Sequence, residues 1–106
     1  MPKYLFQVTY TAEGAKGLLN DGGTKRRAVA KQLVESLGGA LESFYYGFGE
    51  TDIFAVADLP DDEAAAALSL TVGASGAISG KTTVLLTPEQ IDQAAKKSAT
   101  YTPPGR

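Results

Sequence analysis

The chain has 106 residues, 43% hydrophobic and 21% charged, with a formal net charge of -2 at pH 7. That is room for one compact domain of ordinary globular composition, without the cationic surface that neutralises many phosphates, so nucleic acid is not an expected partner. The absence of cysteine and histidine removes thiolate nucleophiles, disulfides, structural zinc, haem ligation and the Ser-His-Asp triad, leaving carboxylates, lysine, arginine, tyrosine and bound water for any chemistry.

No metal or cofactor is therefore expected. No apolar run approaches the ~20 residues of a membrane-spanning helix, so no membrane partner is expected either. The start, Met1-Pro2-Lys3-Tyr4-Leu5-Phe6, lacks the pattern of a secretory signal, and the expected location is cytoplasmic.

From Lys3 to Thr11 the chain alternates, Tyr4, Phe6, Val8 and Tyr10 on one face against Leu5, Gln7 and Thr9 on the other, which predicts a strand. Residues 12–20 are a weak helical stretch interrupted by Gly14 and Gly17, and Asp21-Gly22-Gly23 breaks the chain, so the first full helix is predicted from an N-cap at Thr24. Val29, Ala30, Leu33, Val34 and Leu37 give it an apolar stripe, and Gly38-Gly39 ends it as a left-handed cap. Ala40 to Tyr46 alternates again. After the turn Gly47-Phe48-Gly49-Glu50-Thr51, residues 52–58 run apolar on both faces, as a strand covered on both sides would.

Pro60-Asp61-Asp62-Glu63 opens the next helix, with acids at the end where the macrodipole favours them, and its body from Ala64 to Ser75 is rich in alanine. Gly76 and Gly80 read as turn residues before a final strand, Thr82 to Leu86, with Lys81 at its start. Thr87-Pro88-Glu89 then starts a short terminal helix to about Lys97. Residues 1–99 form the predicted domain and 100–106 an extended tail.

Strand, helix, strand, strand, helix, strand is the split βαβ order of an α+β, ferredoxin-like fold. With right-handed crossovers the first and third strands are central in an antiparallel sheet, and both main helices lie on one face. The other face, with Gln7, Thr9 and apolar neighbours, would be bare, so a homodimer or larger homo-oligomer is expected, with sheets facing each other.

Four stretches carry a resemblance: Pro2-Lys3-Tyr4-Leu5, Gly22-Gly23-Thr24-Lys25-Arg26, Phe48-Gly49-Glu50-Thr51-Asp52 and Thr82-Thr83-Val84-Leu85-Leu86-Thr87-Pro88-Glu89. Together they make nearly the whole chain resemble the GYD-domain family, small bacterial or archaeal proteins of uncharacterised function. The resemblance implies a ferredoxin-like fold and a dimeric α/β barrel. Gly49 and Asp52 match the ends of the family's glycine-tyrosine-aspartate signature, and Thr51 stands at its tyrosine position.

Gly76 to Thr82 departs from a phosphate-binding loop, because it is one residue short between its glycines and leads into a strand rather than a helix. If the strand runs through both, Glu50 and Asp52 share a face, where like charge would raise one carboxyl pKa toward neutrality; these are the catalytic candidates. The plainer reading has Asp52 accepting backbone N–H groups in the turn and Glu50 solvated.

Lys25-Arg26-Arg27 at a helix start would either hold an anion or pair with Glu50, Asp52 or a second subunit. Tyr4, Tyr10, Tyr45, Tyr46 and Phe48 would line a cleft for a flat ligand, or else serve core and interface.

The first functional expectation is a homo-oligomer that binds a small molecule or protein partner at the sheet face or glycine turn, with Gln7, Tyr10, Lys25, Arg26, Tyr45 and Gly49 as binding candidates. The second is a cofactor-independent enzyme of the dimeric α/β-barrel kind, acting on a small oxygenated or aromatic substrate. There Asp52 or Glu50 is the base, Tyr10 or Tyr45 a hydrogen-bond donor, and Arg26 or Lys25 the anion holder. The third is a purely structural oligomer.

Overall fold

The computed structural model describes residues 1–47 and 49–106; Phe48, named above among the cleft aromatics, lies outside them. In chain order the elements are β1 (Lys3–Tyr10), α1 (Ala12–Asp21), α2 (Gly23–Ser36), β2 (Ala40–Tyr46), β3 (Ile53–Asp58), α3 (Asp62–Ala74), β4 (Ile78–Leu85) and α4 (Pro88–Ala95). The strands form one antiparallel sheet in the order β2-β3-β1-β4. Strands one and three are central, and the fold is the ferredoxin-like arrangement that the element order implies.

Register separates the two faces. Tyr4 lies across from Ala57 and Val84, and Phe6 across from Ala55 and Thr82. Residues directly opposite in an antiparallel pair share a face. On that face Tyr4, Phe6, Ile53, Ala55 and Ala57 meet Val34 of α2 and Ala65 and Leu68 of α3, with Leu59 sealing the end, all buried. Both main helices therefore roof the same side. Full burial of a side chain such as Leu59 contributes about 1.5–3 kcal/mol.

The opposite face carries Leu5, Gln7 and Thr9 of β1, Phe54 and Val56 of β3 and Tyr45 of β2. Tyr45 is 70% exposed and Phe54 39%. Lys3 spans Glu42 and Asp58 there at 3.0 and 2.9 Å, and those two hydrogen-bonded carboxylates raise its pKa.

Several local expectations change. Residues 12–21 form a continuous helix in spite of two glycines, because Thr11 caps it by accepting from the Gly14 N–H at 3.2 Å. Gly14 is also where other groups come closest: a Cβ there would collide with the Ala77 carbonyl and the Tyr10 ring. The helix needs that glycine in order to pack.

Thr24 is not an N-cap. It lies inside α2, whose cap is Gly22 at φ +85°, a left-handed conformation that turns the chain directly from α1 into α2. The far end of α2 closes on Gly38 at φ +84°, with Gly39 N–H donating to the Val34 carbonyl at 3.1 Å.

β4 begins at Ile78 rather than Thr82, so Gly80 is a strand residue opposite Val8 and not a turn. The Gln7 carbonyl would stand 3.0 Å from a Cβ at Gly80. Asp61 caps α3 by accepting from Ala64 N–H at 2.9 Å. Thr87 and Gln90 form a reciprocal capping box at α4, with bonds of 3.1 and 2.7 Å.

The radius of gyration is 16.9 Å and the longest extent 57 Å, against about 13 Å for a compact chain of this length. The excess lies in residues 86–106, which are exposed apart from a half-buried Pro103. Among the described residues no helix is long and apolar enough to cross a membrane.

Candidate functional site

α2 packs chiefly on β2 and α3 on β4, so the middle of the sheet is roofed only by side chains reaching inward from both helices. The residues facing this gap are small at several points: Ala55 and Ala57 in β3, Ala30 in α2 and Gly73 in α3. They leave an apolar cleft of about 180 Å³, walled by Phe6, Val8, Leu33, Phe44, Ile53 and Val72. Tyr10 and Arg26 stand among its polar lining residues. Both also line a second hollow of about 290 Å³ under α1, to which Glu13, Asp21, Thr71 and Ser75 contribute.

The shared boundary is held by charge and hydrogen bonds. Asp21, the last residue of α1, takes Lys25 Nζ and Arg26 Nη1, each at 3.6 Å. Two cations on one carboxylate leave the rim positive. Lys25 and Arg26 therefore draw on Asp21 and not on Glu50 or Asp52 for their ion pairs. An acid four residues before Lys25 was the sequence signal for this pairing.

Burial is the main cause that pushes the Tyr10 phenol up to about 12; the Tyr46 side chain adds to it and the Arg26 charge opposes it. Tyr10 is thus a proton donor across the neutral range. Tyr46, beside it on the helix-covered face, donates to the Gly23 carbonyl at 3.0 Å and stacks edge-on against Phe44.

Asp52 supports this arrangement from behind. Its Oδ2 accepts the Tyr10 N–H at 2.8 Å, its own N–H donates to the Val8 carbonyl at 2.8 Å, and its carbonyl accepts Gly47 N–H at 2.9 Å. The carboxylate lengthens the ladder between the first and third strands by one rung beyond Ile53. Glu50 is exposed, and its backbone carbonyl accepts from Thr9 Oγ1 at 2.6 Å. β3 starts only at Ile53, so no strand face joins the two carboxylates.

The structure thus brings Tyr10 and Arg26 together at the cleft and sets Lys25 on its rim. Gln7 and Tyr45 lie on the opposite, bare face, both in register with Phe54. Gly49, at φ +123°, and Glu50 belong to the turn. Among the described residues neither Asp52 nor Glu50 lines the cleft, and no group of three acidic side chains is placed to hold a metal.

A family model described as the GYD domain matches residues 4–95. Comparison with curated proteins and with solved structures returns no match.

Proposed function

The chain belongs to the GYD-domain family, and on that premise we propose that it is a small-molecule-binding domain that self-associates through its bare sheet face. The observation that carries the binding reading is the apolar cleft between α2 and α3, with Arg26 and Tyr10 among its lining. An apolar protein cavity of about 150 Å³ stays dry and accepts benzene. The cleft here, at about 180 Å³, suits a molecule with one ring or a short aliphatic body.

A carboxylate or similar anion on that body would meet the Arg26 guanidinium and the Tyr10 hydroxyl, both donors at neutral pH. Apolar walls supply affinity, and the two donors choose the head group. Self-association follows from the other side of the sheet. Leu5, Phe54, Val56 and Tyr45 form a patch that water covers poorly and a second sheet covers well.

Titrating the isotope-labelled chain with benzoate and with benzyl alcohol tests the cleft. The expected result is amide shifts at Val8, Ala30 and Val72 for both, lost in Ala30→Leu. Arg26→Gln should weaken benzoate by about tenfold or more and leave benzyl alcohol nearly unchanged. If neither compound moves those amides at millimolar concentration, the cleft is not a binding site.

A further inference from the structure

The apolar cleft and the hollow under α1 adjoin each other. Tyr10, Arg26, Val72 and Ile78 line both, so the cleft between α2 and α3 runs up against the hollow of about 290 Å³. Glycine opens that hollow. Gly14 and Gly17 stand one turn apart on the face of α1 that lines it. At Gly14 a Cβ would strike the Ala77 carbonyl and the Tyr10 ring, whereas at Gly17 it would meet nothing within 4 Å. The helix closes on the end of the sheet at one turn and leaves room at the next.

The side chains around this room present oxygen acceptors. Thr71 Oγ1 donates to the Ala67 carbonyl at 2.7 Å and Ser75 Oγ to the Val72 carbonyl at 2.6 Å, which commits both hydroxyl protons. Lone pairs remain on each, although Ser75 also accepts the Ala77 N–H at 3.2 Å. Glu13 and Asp21 add carboxylates from either end of α1, about 12 Å apart along the helix axis. Each already has a cation: Lys16 lies 3.8 Å from Glu13, and Lys25 and Arg26 lie 3.6 Å from Asp21. A further ammonium would meet those cations, and an anion deep in the hollow would meet the carboxylates. Neutral O–H groups donate to such acceptors without either cost, and they accept from Arg26 and Tyr10 in turn.

We propose that the hollow is the second chamber of one site and holds a hydroxylated, sugar-like ring, joined to the apolar body that fills the cleft. This deepens the binding reading above and rests on it. The hollow is larger than the cleft of about 180 Å³ that suits one ring, so a second ring fits it. Glu13, Thr71 and Ser75 are exposed, so hydroxyls there keep contact with water while the apolar end is withdrawn from it. Acceptors spread over two helices call for several hydroxyls at different points of a ring.

Phenyl β-D-glucoside is the probe, with benzyl alcohol and methyl β-D-glucoside standing for its two halves. In the isotope-labelled chain it should move the amides of Gly17, Thr71 and Ala77 as well as those of Val8, Ala30 and Val72. It should bind at least about tenfold more tightly than either half. Gly17→Leu puts a side chain where it meets no neighbour and where leucine favours the helix over glycine, so its thermal melt should not fall. It should bind benzyl alcohol as the native chain does and the phenyl glucoside at least about tenfold more weakly. Thr71→Val, which removes an acceptor from the facing helix, should weaken the phenyl glucoside alone.

If benzyl alcohol moves the cleft amides but the phenyl glucoside binds no tighter and leaves Gly17 unmoved, the second chamber is overturned and the cleft stands. Unchanged binding of the phenyl glucoside to both variants would overturn the chamber in the same way. If neither compound moves any cleft amide, the cleft reading fails and the inference fails with it.

Discussion

The two faces of this sheet are built from alternate residues of the same strands, and their environments are opposite. On one, Tyr4, Ala57 and Leu59 are at most 1% exposed beneath two helices. On the other, Phe54 and Tyr45 stand among Gln7, Thr9 and the Lys3 ion pairs on the side that the two main helices leave open. In the self-association proposed for this face, an apolar residue one position along the strand changes from a source of folding energy to a source of association energy. Substitutions at the two faces should accordingly give different signatures, one in unfolding and one in oligomer size.

The largest effect is expected at Leu59. Leu59→Ala should destabilise the chain by about 2–5 kcal/mol in urea unfolding, with both the lost burial and the cavity contributing. A smaller loss is expected at Gly14, where any side chain meets the Ala77 carbonyl and Tyr10. Gly14→Ala should cost about 1–3 kcal/mol by overpacking, and would place the tolerance of the α1 junction below that of the bare face. If Gly14→Ala is neutral, α1 does not pack as described.

Alkaline titration sharpens the same contrast. The Tyr4 and Tyr10 phenols are both raised from 10.0 to about 12, Tyr4 first by its hydrogen bond to Asp62 and Tyr10 first by burial. Protonation of both is favoured in the folded state, so their contribution is fully present below pH 10 and is lost as pH rises through about 12. Thermal melts across that window should show the fall, flattened in Tyr4→Phe and Tyr10→Phe.

The smallest intrinsic effect is expected at Tyr45, which is 70% exposed on the edge strand β2. Tyr45→Ser should change the unfolding free energy of the dilute monomer by about 0.5 kcal/mol or less, as surface substitutions usually do. It should weaken the dimer seen by light scattering. A large unfolding loss without any change in size would erase the distinction between the faces.

Much of the fold was legible because it rests on local periodicity. The alternation Tyr4, Phe6, Val8, Tyr10 marked the face that the helices cover, the stripe through Leu33 and Val34 marked α2, and Thr87-Pro88 marked the start of α4. The misread places were those where a distant group decides the geometry. Gly14 looked like a helix breaker until Ala77 came against it. Gly80 looked like a turn until Val8 lay across from it, and Thr24 looked like a cap until Gly22 turned the chain ahead of it.

The candidate site divides in the same way. Tyr10 and Arg26 could be named from residue type and helix position, and Asp21 was signalled by its place four residues before Lys25, but the cleft itself could not be read. The cleft exists because α2 leans on β2 and α3 on β4, a matter of how far two helices stand apart.

By itself, the sequence determined the order of the strands and main helices, the glycine end of α2 and the capped start of α4, the apolar stripe and the exclusion of cysteine and histidine chemistry, all of which follow from neighbouring residues and from which atoms the side chains contain. Only the tertiary structure decided that Asp52 serves the Tyr10 backbone, that the small residues of β3 and α3 leave a cleft, and that the last turn of chain stands clear of its domain. Each of these depends on distances between segments far apart in the chain, which packing sets and local propensity does not.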